Sequence, residues 1–328
     1  MKQNIINGIC IILTFFSIIF NPISIYAENN PKDDKNIVVA LDPGHDTLHT
    51  GAYYYGLKEE EINFKIAKYC KEYIERNSNI KVIFTHSSLT CDYPETIYDD
   101  CNYDRVKFAA KNNADLFFSI HCNASTNSYS NGISIIYQNE NYKSQFNKEG
   151  LLLIDKLKNT LSDYMDITEI YTRNSEGDEN DSLDDRAVYY PDGSDTDYYN
   201  VLRTPKYYDF LSIIVEHGYL SNEDNAYFLS DDFNLQQLGE ADAKAIINYY
   251  KDKGLNMDKK NNNNFNNSNQ NNLLEILYSL KEDKRIWFNR MKTEIDNSLP
   301  QKMKEYIIKE KYNISFETPP KHMFGCRN

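Results

Sequence analysis

Three short stretches carry side chains able to ligate a metal or move a proton. VVALDPGH runs from a β-branched apolar segment into His45. ADLFFSIHC carries His121 at the end of a second apolar run, and FLSIIVEHGYL carries Glu216 at the end of a third. A fourth stretch, GLKEEE, places Glu59, Glu60 and Glu61 after His45. Two histidines and one carboxylate with one coordination position open are the ligand set of a catalytic zinc. A carboxylate left over beside them can move protons for the water. One histidine at a strand end is ordinarily a hydrogen-bonded structural residue; three ligand-type residues at one edge of a sheet are a constellation. Residue chemistry does not choose among the three glutamates, because all suit a first helical turn, where negative charge complements the dipole.

The segments that must position these residues alternate in period. NIVVALD, IKVIFTH, ADLFFSIHC, GISIIYQ and FLSIIVEHGYL read as strands, ADLFFSIHC as one buried on both faces. EEEINFKIAKYCKEYIER, with Ile62, Ile66, Tyr69 and Tyr73 at helical spacing, reads as a helix. So do CNYDRVKFAAKNN, KEGLLLIDKLKNTLSDY and EADAKAIINYYKDKG. The alternation predicts an α/β fold: a single layered domain with a mostly parallel central sheet flanked by helices, plus a short C-terminal helical segment. In such sheets ligands bind beyond the carboxyl ends of the strands, where His45, His121 and Glu216 are expected.

The 328 residues carry a formal net charge of −13, which argues against nonspecific nucleic-acid binding, since phosphate neutralisation needs Lys and Arg. The N-terminus has Lys2, an apolar run over residues 5–20 and the small Ala27, the layout of a secretory signal peptide over 1–27. Five cysteines follow it: Cys70, Cys91, Cys101, Cys122 and Cys326. An odd number cannot all pair internally. Cys91 and Cys101 are close enough in sequence to bridge, but mostly free thiols are expected, and the spacing fits no zinc knuckle. Residues 255–272 form an Asn-rich linker, and 273–328 hold an apolar helical pattern with Trp287. The acidic stretch 174–199 reads as a solvated surface loop. It precedes NVLR, read as a core strand, and so is also a candidate lid over the cleft; its Asp spacing lacks the full EF-hand pattern.

Taken together, VVALDPGHD, GLKEEEINF, DRVKFAAKNNADLFFSIHCNA, GISIIY, NVLR and IIVEHGYLSNEDNAYFL resemble, in order, the zinc-dependent N-acetylmuramoyl-L-alanine amidases of bacterial cell walls. The resemblance runs from Asn36 to Lys253 and gives a catalytic domain of residues 36–254. It implies one zinc ion (Zn2+) per chain on His45, Glu59 and His121, with Glu216 as the catalytic carboxylate. It also implies peptidoglycan as substrate, cut at the amide between the lactyl group of N-acetylmuramic acid and L-alanine. Asn123, at the mouth of the site, and His217, beside Glu216, are the expected substrate contacts; tuning of Glu216 is the other role open to His217. His49 is an alternative ligand, His86 a structural residue and Arg105 a scaffold between helix and core. Asp46-Thr47 and Ser134 depart from the family pattern, the latter where a second carboxylate is common. A secreted, monomeric protein at the wall or outer membrane face is expected, with the C-terminal segment a candidate for a targeting or regulatory partner. A zinc peptidase acting within the stem peptide, and an inactive wall-binding homologue, are the competing readings.

Overall fold

The computed structural model describes residues 36–94, 101–175 and 189–257. The expected signal peptide, most of the linker and the C-terminal segment lie outside them. No helix among the described residues is long and apolar enough to cross a membrane.

A six-stranded sheet is built from β1 (Val38–Pro43), β4 (Lys81–Phe84), β5 (Leu116–Asn123), β6 (Ile133–Tyr137), β7 (Ile167–Tyr171) and β8 (Leu211–Tyr219). Its order is β4-β1-β5-β8-β6-β7. Every neighbouring pair is parallel except β6 with β8. Two short strands, β2 (Tyr53–Tyr54) and β3 (Leu57–Lys58), form a hairpin that leads into α1 (Glu59–Asn77). The other helices are α2 (Asn102–Lys111), α3 (Gln145–Leu161), α4 (Asn200–Tyr207), α5 (Glu223–Leu229) and α6 (Asp232–Asp252).

Helices cover both faces, as the continuous apolar strands require. On one face Ile66, Leu153, Leu157, Leu238 and Ile246, from α1, α3 and α6, bury Leu41, Phe118, Ile120, Ile213 and Val215. On the other, Val106, Ala109, Val201 and Leu202, from α2 and α4, bury Ala40, Phe117 and Ile214. Alternation along β5 and β8 therefore assigns His121 and Glu216 to the second face and His217 to the first.

The structure corrects several expectations. NVLR is the start of helix α4, not a strand: Leu202 and Arg203 donate their backbone N–H to Tyr199 O at 3.0 and 2.9 Å. Both edges of β8 are already taken, by β5 and β6. β8 does not end at its glutamate but continues to Tyr219. β7 is an additional, largely exposed strand, ITEIY.

The tail of the acidic stretch is solvated over residues 191–193 and at Asp195 but anchored by buried Tyr190, Thr196 and Asp197. Asp197 is buried, accepting from Asn139 N at 2.7 Å and Tyr190 Oη at 2.6 Å, and lies 3.0 Å from the ammonium of buried Lys206. Residues 176–188 of that stretch lie outside the described residues. The body also extends beyond Gly254: Met257 is buried, and Asn79 donates to the carbonyls of Met257 and Asn256 at 3.1 and 3.0 Å.

Candidate metal centre

His45 lies two residues beyond β1, in a backbone conformation set by its neighbours. Its φ of 67° is in the left-handed region, unusual for a residue with a Cβ and costing about 1–3 kcal/mol. Gly44 N donates to Ile120 O at 2.8 Å, and Arg105 donates to Pro43 O at 2.8 Å and His45 O at 3.1 Å, which hold the turn in place. The glycines are required for contact. A Cβ on Gly44 would stand 2.2 Å from His121 Cε1, and one on Gly51 would stand 2.4 Å from Glu59 Oε2. The two loops thus lie directly against the rings and carboxylate they present.

Glu59 opens α1. The β2–β3 hairpin returns the chain to the edge of the sheet, and Glu59 N donates to Ala52 O at 3.0 Å. Its Oε1 lies 3.3 Å from His45 Nε2 and 3.1 Å from His121 Nδ1. Ala52 N donates to Oε2 at 2.8 Å, and Asn63 Nδ2, one turn on, donates to Oε1 at 3.3 Å. His45, Glu59 and His121 each offer a ligand atom, all within 4.8 Å of one another. His45 Nδ1 is 3.2 Å from His49 O; donation there leaves Nε2 with its lone pair toward the group, the usual way a second contact orients a ligand. Burial disfavours charge on His45, but the Glu59 carboxylate beside it outweighs burial and raises its pKa to about 9. Burial likewise opposes ionisation of Glu59, yet the two histidines hold it well below the ordinary carboxylate range. Glu60 points elsewhere, accepting from Gly51 N at 3.4 Å, and Glu61 pairs with exposed Lys58 at 2.9 Å.

Glu216 is the register partner of His121 on the adjacent strand. The residue is half-buried, but its Oε2 is shielded from solvent and finds no hydrogen-bond partner among the described residues. Burial raises its pKa to about 7; His121 opposes the rise and Glu59 adds to it. A carboxyl with one shielded, unpartnered oxygen and a raised pKa is suited to exchanging protons with a reactant.

The remaining expected residues are distributed differently. Asn123, at the end of β5, is half-buried at the same edge, its Oδ1 accepting from Ala124 N at 2.8 Å. His217 is fully buried on the opposite face, 2.9 Å from Asp242 of α6, which removes it from direct substrate contact. Burial opposes charge on His217, but Asp242 raises its pKa, while burial raises that of Asp242 in turn. His49 does not join the three ligands; its Nδ1 lies 3.2 Å from Asp46. His86 is structural, with both ring nitrogens on backbone carbonyls at 2.6 and 2.7 Å. Arg105 is buried between Asp42 at 3.2 Å and Asp46 at 2.9 Å.

Sequence reasoning missed three supporting residues. Asp42 accepts from Thr85, Arg105 and Ser119 beneath the His45 turn. Asn63 bridges Glu59 and Gly44 O, and its i+4 position from Glu59 was the available signal. Glu169 of β7, the register partner of Ser134, accepts from Ser134 Oγ at 3.4 Å and brings a carboxylate beside it. Nothing in ITEIY marked it.

A mostly parallel α/β sheet with a His–Glu–His group at its carboxyl edge is thus in place. The sequence model of N-acetylmuramoyl-L-alanine amidases matches residues 39–248, more than half of the chain, and the protein belongs to that family. Among curated relatives, AmiA of Escherichia coli K12 is 41% identical over 99 residues, which are 30% of this chain and 31% of AmiA. AmiC of Escherichia coli O6:H1 is 36% identical over 103 residues, 31% of this chain and 23% of AmiC. The matched region spans under a third of either relative. An N-acetylmuramoyl-L-alanine amidase from Clostridium difficile 630 superposes with a TM-score of 0.50 at 18% identity, covering 66% of this chain and 98% of that one; it shares the fold.

Proposed function

We propose that this chain is a zinc-dependent amidase that hydrolyses the amide between the lactyl group of N-acetylmuramic acid and L-alanine in peptidoglycan. The observation that carries the reading is the placement of Glu216. Its unpartnered, buried Oε2 lies one strand from His121, beside two imidazoles that converge on the Glu59 carboxylate. Family membership supports the substrate class.

The donor set fits zinc: two imidazole nitrogens and one carboxylate oxygen, partly buried, with their backs held by His49 O, Ala52 N and Asn63. His45, Glu59 and His121 would hold the ion. When bound, zinc supplies Lewis-acid polarisation of the scissile carbonyl and acidifies water. Glu216 takes the proton of the attacking water and delivers it to the leaving amide nitrogen, so that the C–N bond breaks to a carboxylate and a free amine. A carboxyl whose pKa burial raises toward the working pH is suited both to accept and to donate that proton. When protonated, His217, paired with Asp242, opposes the rise that burial imposes on Glu216. Asn123, by this reading, contacts substrate at the mouth of the site. By this reading the protein is secreted, and residues 273–328 serve targeting or regulation.

Digestion of purified peptidoglycan with mass analysis tests the function. Intact stem peptides bearing a free L-alanine amine are expected. Trimmed stem peptides would assign a peptidase instead, and an unaltered wall bound by the protein would assign an inactive homologue.

A further inference from the structure

The departure at Asp46 has a counterpart in space. Asp46, His49, Cys91 and Cys101 come from three separate segments, yet each offers a ligand atom and all four atoms lie within 4.8 Å of one another. We propose that these four residues form a second, structural zinc site, distinct from the His45–Glu59–His121 group.

The distances match a tetrahedron. Zinc bonds of about 2.0 Å to N or O and about 2.3 Å to S imply ligand–ligand edges of roughly 3.3 Å for an N–O pair and roughly 3.5 Å for an O–S pair. Asp46 Oδ2 lies 3.3 Å from His49 Nδ1 and 3.4 Å from Cys101 Sγ. The surrounding hydrogen bonds suit ligands. Asp46 Oδ1 accepts from Leu48 N and His49 N, both at 2.8 Å, which fixes the carboxylate and turns Oδ2 toward the two sulfurs, with Arg105 Nη2 at 2.9 Å. Each sulfur has its own donor: Arg105 Nε reaches Cys101 Sγ at 2.9 Å and Tyr93 N reaches Cys91 Sγ at 3.3 Å. N–H groups directed at sulfur stabilise thiolate ligands.

Charge also balances. Binding forms two Zn–S bonds and releases two thiol protons to solvent, so one divalent cation replaces two protons. The net charge around Arg105, Asp42 and Asp46 is unchanged. The site would tie residues 85–93 to the loop that begins at His45, alongside the backbone bond from Thr47 N to Leu89 O at 2.8 Å. Its ligands converge only in the fold, so their spacing in sequence showed no zinc knuckle.

The test is metal content of the full chain, purified without chelator, with zinc as the probe. Two ions per chain are expected, falling to one in His121→Ala and to one in Cys91→Ser/Cys101→Ser. Cobalt(II) loaded into His121→Ala should give thiolate-to-cobalt charge-transfer absorption in the near ultraviolet, a readout that needs no cysteine variant to fold. One ion in the wild type with none in His121→Ala would overturn the proposal. So would the lack of a thiolate band, or a Cys91–Cys101 disulfide found by unreduced peptide mapping of the secreted protein.

Discussion

Replacing Gly44 with alanine should detach the first metal group from its scaffold while the fold survives. The new methyl would lie 2.2, 2.3 and 2.5 Å from Cε1, Nε2 and Nδ1 of the His121 ring. Ordinary contact needs about 3.5 Å, so ring and methyl must separate by roughly 1.3 Å. The loop cannot give easily. Gly44 N is bonded to Ile120 O at 2.8 Å, and its carbonyl accepts from Asn63 at 3.1 Å. β5 is fixed between β1 and β8, so the movement falls on the imidazole, whose Nδ1 leaves Glu59 Oε1, now 3.1 Å away. The overpacking should cost about 1–3 kcal/mol of stability, and loss of ligand orientation should weaken zinc binding about 10- to 100-fold. Gly56→Ala is the control: its φ of 79° makes alanine strained, but nothing lies within 4 Å of the added methyl. Competition with a chromogenic chelator, with circular dichroism to check folding, measures both variants. Native zinc affinity in a folded Gly44→Ala would refute the packing argument.

Other outcomes follow from the same contacts. Arg105→Met leaves Asp42 and Asp46 buried without their cation and should destabilise the protein by about 3–5 kcal/mol in urea unfolding. Asp242→Asn should destabilise more at mildly acid than at alkaline pH. The pKa of His217 is raised above its ordinary value of about 6.5, so the pair's contribution is complete below that pH and is lost as pH rises through the raised value. Urea unfolding at about pH 6 and about pH 9, chelator present throughout, should show the difference between variant and wild type shrinking. Truncation after Met257 should leave hydrolysis of soluble peptidoglycan fragments intact; an insoluble or metal-free product would show that later residues complete the core.

The parts of this molecule written as local pattern were legible in the sequence. Apolar runs identified five of the six strands of the sheet, and period 3.6 identified α1, α2, α3 and α6. Strand ends pointed to His45, His121 and Glu216, though only the resemblance selected Glu59 among three adjacent glutamates. In the structure that selection has a physical basis: the hairpin and Ala52 N bring Glu59 between the two rings, while Glu61 faces Lys58. What stayed hidden depended on tertiary context. Exposed ITEIY lacks the burial that makes a strand conspicuous, and the four residues of NVLR are too short a run to tell a strand from a helix start. His217 looked available for substrate because adjacency to Glu216 says nothing about which face it takes. The grouping of Asp46 and His49 with Cys91 and Cys101 has no counterpart in sequence spacing.

The central claim is that Glu216 transfers protons beside a metal it does not hold. The most direct measurement pairs zinc content with turnover of a defined muramyl-peptide fragment for Glu216→Gln and His121→Ala. Glu216→Gln should retain the wild-type zinc content and lose about 100- to 10,000-fold in turnover, whereas His121→Ala should lose one ion per chain together with activity. Near-normal turnover by a zinc-loaded Glu216→Gln, or loss of an ion from that variant, would contradict the account.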